Sequence, residues 1–168
     1  MKAWRPLAAV ALLALAGCGT SSASAADKTF VADMTPHHAL GVRMADMALA
    51  KADDVRVREF GFTMGRYQQA EFDQLSAMAT SWKATASGHA HGMLAPAEED
   101  ALAALNGRDF DKAWLEHMII HHEGAVAMAT SELATGSDTK AKAIAANVAT
   151  VQTKEISQMK AVLAALSR

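Results

Sequence analysis

The chain holds ten Met and seven His in 168 residues, with a single Cys, and several of these side chains recur in one arrangement. Met34-Thr35-Pro36-His37-His38 is matched by Met118-Ile119-Ile120-His121-His122, and each is followed six residues after its second His by a further Met, Met44 and Met128. Imidazole and thioether without thiolate suit Cu(I), and the imidazoles also suit Cu(II). Zinc prefers His with carboxylate and ranks lower. Iron ranks lower too, because carboxylate-bridged di-iron bundles place His three residues after Glu, whereas Gln74 and Gln158 follow Glu71 and Glu155.

On a helix, residues three, four and seven apart share a face. His117, His121 and Met128 fall within about 40° of one another by that rule, with Met118 and His122 on the adjoining stripe. The candidate ligands are therefore Met34, His37, His38, Met44, His117, Met118, His121, His122 and Met128. The position matching His117 in the first half is Asp33, so the halves are not equivalent. Glu71 and Glu155, each within Gln-x-x-Glu-x-x-Gln beginning at Gln68 and Gln152, are the expected partners that orient the His rings. His89, His91 and Met93, in a Gly-containing segment, form a candidate auxiliary metal site or a solvated linker. Each piece also has a plainer reading. Met packs adaptably and fills cores, a buried His is commonly just hydrogen-bonded, and Glu, Gln and His can form an ordinary buried network.

The elements that position these residues follow from an internal repeat. A shift of 84 residues superposes Met34 on Met118, and the register persists from Val42 on Val126 to Gln68, Glu71 and Gln74 on Gln152, Glu155 and Gln158. Such a unit cannot bury its apolar face alone, so the halves are expected to pack on each other. Each reads as two helices: about Lys28 to Lys51 and Asp54 to Lys83, then Asp109 to Ala134 and a partner after Asp138. Asp53 or Asp54, and Ser137 or Asp138, are the candidate N-caps, and Gly136 suits a left-handed C′ position. Pro36 implies either a kink ahead of the His pair or a helix that starts there with Thr35 as cap. Ile144, Val148, Val151, Met159 and Val162 make an apolar stripe broken by Glu155, a charge that needs a partner. Pro96 to Leu105 reads as a short helix in the long connection. The expectation is all-α: a four-helix bundle over 27–168, of the kind that can hold metals in its core, with repeats of about 30–83 and 109–166. Low aromatic content, 5%, agrees with helices rather than sheets.

The N-terminus reads as an address. Lys2 and Arg5 precede an apolar stretch, Leu7 to Ala16, too short to span a bilayer. Leu15-Ala16-Gly17-Cys18 resembles a bacterial lipobox, which predicts a signal peptide over 1–17, lipid on Cys18 and a flexible tether over 18–26. An ordinary signal peptide cut near Ser24-Ala25-Ala26 is the alternative, and both export the protein. Loss of Lys2 and Arg5 takes the formal charge from −2 to −4 and argues against a nucleic-acid partner. A lone Cys forbids an internal disulfide, so the fold must rest on packing, assisted by metal or not.

At these residues the sequence resembles the DUF305 family, ferritin-like four-helix proteins, often lipoproteins, with duplicated Met-x-x-His-His and Gln-x-x-Glu-(Ile)-x-x-Met motifs. The resemblance spans about Phe30 to Leu163. Met34, His37, His38 and Met44 fit the first motif, and Met118, His121, His122 and Met128 its copy. Gln152, Glu155, Ile156 and Met159 fit the downstream motif, where the first half has Phe72 and Leu75 in place of Ile and Met. The resemblance implies copper binding at the periplasmic or outer face, linked to copper tolerance.

No nucleophile triad or phosphate loop is recognisable, so a non-enzymatic role is expected. The reading is an exported, membrane-anchored copper binder acting as buffer or delivery protein, with a second copy or another copper protein as candidate partner. A ferritin-like metal oxidase and a metal-free helical interaction module are the alternatives.

Overall fold

The computed structural model describes residues 23–88 and 91–168. The reading of 1–17 and Cys18 lies outside the described residues, and so does His89. Five helices follow in order: α1 Ala25–Lys51, α2 Val55–Trp82, α3 Pro96–Ala104, α4 Gly107–Thr135 and α5 Thr139–Leu166. Among the described residues there is no strand, and no helix is long and apolar enough to cross a membrane. α1 with α2 and α4 with α5 form the two hairpins, and α1 packs on α4 to join them into a four-helix bundle.

The helix boundaries follow from local chemistry. Ser24 caps α1 in a reciprocal box with Asp27, the serine side chain accepting from the Asp27 amide at 3.2 Å and Asp27 accepting from the Ser24 amide at 2.6 Å. The helix therefore starts inside the stretch read as tether. Asp54 and Asp138 are the N-caps of α2 and α5. Pro36 lies within α1, which runs through it unbroken, so the start at Thr35 is excluded. Thr35 instead returns its hydroxyl to the Val31 carbonyl at 2.7 Å.

Gly136 corrects an expectation. Its backbone is extended (φ −71°, ψ 160°) rather than left-handed. The requirement for glycine is steric: a Cβ there would stand 2.1 Å from Oε1 of Glu132, whose carboxyl packs against it. The left-handed cap is at Lys83, φ 51°.

Two buried aspartates that the sequence reading passed over lock the hairpins together. Asp27 on α1 accepts from the backbone of Ser137 and Asp138 at 2.8 and 2.9 Å, in the α4–α5 turn. Asp111 on α4 accepts from the backbone of Asp53 and Asp54 at 3.1 and 2.8 Å, in the α1–α2 turn. Each hairpin thus caps the other's turn. The apolar core divides in two. Leu40, Met44, Val57, Met64, Trp114 and Met118 lie in one cluster, and Phe30, Met34, Leu75, Ala129 and Val148 in the other. The early part of α1 meets the late part of α4, so these helices run antiparallel, and the paired His residues fall between the two apolar clusters.

Glu132 is 1% exposed, and neither carboxyl oxygen has a hydrogen-bond donor from the described residues. Burial first, then its neighbour Asp27, pushes its pKa up to about 8. Burial also opposes ionisation of Asp27, but hydrogen bonds from Asp138, Ser24 and Ser137 outweigh it and hold that carboxyl well below the usual range. The folded state therefore keeps a proton on Glu132 that the unfolded chain releases near pH 4.5. Its contribution is complete below pH 4.5 and is lost as pH rises to about 8. Glu132→Gln is expected to melt like wild type at pH 5 and above it at pH 8.5. An equal difference at both pH values would remove Glu132 as the titrating group.

Candidate metal centre

The repeat places His37 and His38 on α1 opposite His121 and His122 on α4, and all four are fully buried. Two consecutive helical residues point about 100° apart, so one of each pair faces the neighbouring central helix and the other faces its own hairpin partner. His37 and His121 meet across the α1–α4 contact with ring centroids 3.8 Å apart and planes inclined by 30°. His38 turns to α2, its Nε2 donating to Glu71 Oε2 at 2.8 Å. His122 turns to α5 and Glu155 Oε2 at 3.0 Å. The charge on the α5 stripe thus has His122 as its partner. The rings follow one another in the order His38, His37, His121, His122: His38 lies 6.3 Å from His37, and His122 lies 6.0 Å from His121.

Backbone carbonyls serve the inner pair. His121 Nε2 donates to the His37 carbonyl at 3.0 Å, and His37 Nε2 donates to the His91 carbonyl at 3.1 Å. A carbonyl only accepts, so Nε2 carries the hydrogen in both rings, and the neutral imidazole presents a lone pair at Nδ1. The His91 carbonyl reaches this depth because two glycines let the connection lie on α4. A Cβ on Gly124 would stand 2.1 Å from the His91 oxygen. Gly92 has φ +79°, and a Cβ there would meet the Ile120 carbonyl at 2.6 Å.

The Nδ1 atoms of all four rings are buried with no hydrogen-bond partner among the described residues. An orphaned buried polar atom costs about 1–3 kcal/mol, and in a native structure it calls for a ligand, a water or an ion. Gln68, 2% exposed with both amide atoms orphaned, and Gln152, 3% exposed with Oε1 orphaned, add to the set. Gln68 lies against Gly41, where a Cβ would come 1.8 Å from its oxygen. Lone-pair nitrogens held in register by their opposite ring atoms are suitable donors for a borderline or soft cation.

The sulfurs are distributed around these rings. Met34 and Met118 precede the His pairs by one turn and are fully buried, as is Met44. Met34 belongs to one apolar cluster, with Met128 half-buried at its edge, and Met44 and Met118 belong to the other. His117 is half-buried, while His91 and Met93 are exposed. Asp33, the counterpart of His117, is engaged by the Ser87 amide at 2.6 Å and hydroxyl at 2.7 Å. Among the described residues no three His, Cys, Asp or Glu side chains form a group able to hold a metal ion.

The family described as "Domain of unknown function (DUF305)" matches residues 27–163. The chain belongs to the DUF305 family. A DUF305 protein from Streptomyces coelicolor, described as secreted, is 26% identical with a TM-score of 0.79, covering 84% of this chain and 94% of that one. A DUF305 fragment from Deinococcus radiodurans is 27% identical with a TM-score of 0.74, covering 84% and 97%. CopM in its Cu(I)-bound form is 28% identical with a TM-score of 0.70, covering 80% and 92%, and CopM is also known in a Cu(II)-bound form. Among curated proteins none matches this chain. The fold expected of the family, an all-helical bundle, is the fold observed.

Burial, then the neighbouring His38, pushes the pKa of His37 down to about 3, and burial followed by His37 holds His121 well below its ordinary value. A depressed base opposes folding once the unfolded chain takes up protons, so stability is present above pH 6.5 and is lost as pH falls towards 3. The ring-proton resonances of His37 and His121 are expected to stay flat from pH 8 to pH 5. A midpoint near 6.5 in either would refute the buried neutral pair.

Proposed function

We propose that this protein binds copper, as Cu(I) and also Cu(II), through the His and Met residues of the α1–α4 layer, and that it buffers or delivers the ion outside the cytoplasm. The observation that carries this reading is the set of four buried Nδ1 atoms without a hydrogen-bond partner among the described residues, in His37, His38, His121 and His122. Buried imidazoles tied at one nitrogen and free at the other are prepared ligands whose tautomer is already set. Met34, Met44, Met118 and Met128 supply the soft donors that favour Cu(I) and disfavour zinc. The copper-bound forms of CopM, at 28% identity, support the same cargo. Export follows from the Lys2 to Ala16 segment, and attachment through lipid on Cys18 from the lipobox-like Leu15 to Cys18. The role is binding rather than catalysis.

Glu71 and Glu155 hold the outer rings by Nε2, so ligation by Nδ1 leaves both carboxylate contacts in place. His91 and Met93 stand on the connection that reaches α4 and, with His89 close by in the sequence, would serve as a secondary binding group.

An anaerobic Cu(I) titration of residues 27–168 against a chromophoric chelator tests the reading. At copper a thousandfold above Kd, the folded state gains about 4 kcal/mol, which raises Tm by on the order of 10 °C. His121→Ala with His122→Ala should abolish that shift while the helical content of the protein is retained. No uptake by wild type, or undiminished affinity in the double variant, would return these residues to core packing and favour a metal-free interaction module.

A further inference from the structure

The repeat makes the two imidazole–carboxylate arms look interchangeable, but their outer ends differ. Glu71 is bonded at both oxygens: Oε2 accepts from His38 at 2.8 Å, and Oε1 accepts from the Asn147 side-chain amide at 2.7 Å. Only the NH2 end of an amide can donate to a carboxylate, so this contact fixes the Asn147 rotamer as well. Glu155 accepts from His122 at 3.0 Å and has no second donor among the described residues. The residue matching Asn147 by the 84-residue shift is Thr63. Thr63 lines the same recess as Glu155 but makes no hydrogen bond to it.

Asn147 reaches Glu71 from the other hairpin. It stands on α5, whereas Glu71 is on α2, so the bond crosses between the two hairpins at a groove lined by Tyr67, Gln74, Met78 and Lys140. A chain α5–α2–α1 then runs from Asn147 through Glu71 to His38 and leaves Nδ1 of His38 as the free end. The corresponding chain on the other side ends at Glu155, on α5 itself. A carboxylate bonded at both oxygens has one orientation, whereas one bonded at a single oxygen can rotate about its terminal torsion.

We propose that Asn147 is a positioning residue which, through Glu71, presets His38 as the fixed half of the metal-binding row, and that the His122–Glu155 arm is the adjustable half. This rests on the copper reading for its purpose, but the asymmetry of the arms exists without metal. A metal that enters a row with one rigid and one adaptable end meets part of its geometry ready-made and completes the rest by movement at the other end. The orientational cost of binding is reduced on the fixed side, as in other sites where outer partners hold a ligating His. Asn147 itself is exposed, so its replacement does not open a cavity.

The test uses residues 27–168, first without metal. Exchange of the ring Nε2 hydrogens with solvent is followed by NMR for His38 and His122 in wild type, Asn147→Ala and Asn147→Asp. Wild type should show His38 exchanging about tenfold more slowly than His122. Asn147→Ala should bring His38 up to the His122 rate, and Asn147→Asp, which sets like charges together, should take it further. His122 should stay unchanged in both. Equal rates in wild type, or an unchanged His38 rate in the alanine variant, overturns the proposal. Cu(I) competition on the same proteins is expected to show a loss of roughly tenfold or more in Asn147→Ala. Wild-type affinity in that variant overturns the metal half of the proposal. Failure of every protein, wild type included, to take up Cu(I) would instead overturn the copper reading, while the exchange rates would still decide the role of Asn147.

Discussion

A buried imidazole has two nitrogens and one hydrogen, and in a dry core both positions must be answered. In this bundle Nε2 is answered in all four rings, and Nδ1 in none. Much of the architecture serves that division. α2 and α5 bring Glu71 and Glu155 to the outer rings, and α1 supplies the His37 carbonyl to His121. The connection between hairpins supplies the His91 carbonyl, which requires bare backbone at Gly92 and Gly124. The apolar clusters on either side, with Trp114, Phe110 and Leu40 among their fully buried members, keep water from settling the matter more cheaply.

What was legible in the sequence was whatever side-chain type and period encode. The duplication, the helical hairpins and the caps at Asp54 and Asp138 all follow from spacing and cap chemistry, and Glu155 on an apolar stripe announced a buried partner. Backbone acceptors are invisible to that reasoning, because a carbonyl carries no residue type. Neither the His91 nor the His37 contact could be read from composition. Gly136 shows the same blindness in another form: glycine signals freedom of φ and tolerance of close approach alike, and the deciding neighbour, Glu132, comes from the preceding turn.

The mutual caps could have been found. Asp27 and Asp111 stand seven residues before Met34 and Met118, so they obey the same shift that revealed the repeat. The signal was there, but an acidic residue near a helix start is ordinary macrodipole complementation unless burial is known. The Met residues present the converse limit. Helical spacing groups Met34, Met44, Met118 and Met128 with the His pairs, and the fold divides them between two apolar clusters on either side of the row. Equivalence between halves is likewise broken by single side chains: Asp33 holds Ser87 where His117 stands in the copy, and Asn147 bonds Glu71 where Thr63 leaves Glu155 alone.

The crossed caps also bear on how such a protein comes apart. A hairpin separated from its twin would keep its helices but lose the carboxylate that satisfies the amides of its own turn, since Asp111 serves residues 53 and 54 and Asp27 serves residues 137 and 138. Local fraying at either turn is therefore tied to the opposite half, and partial unfolding of one hairpin exposes unmet donors in both. The crossed caps couple the hairpins, so the duplicated chain is expected to unfold as one cooperative unit rather than as two modules in series. The His row, which straddles the contact between the halves, is assembled or lost in a single step.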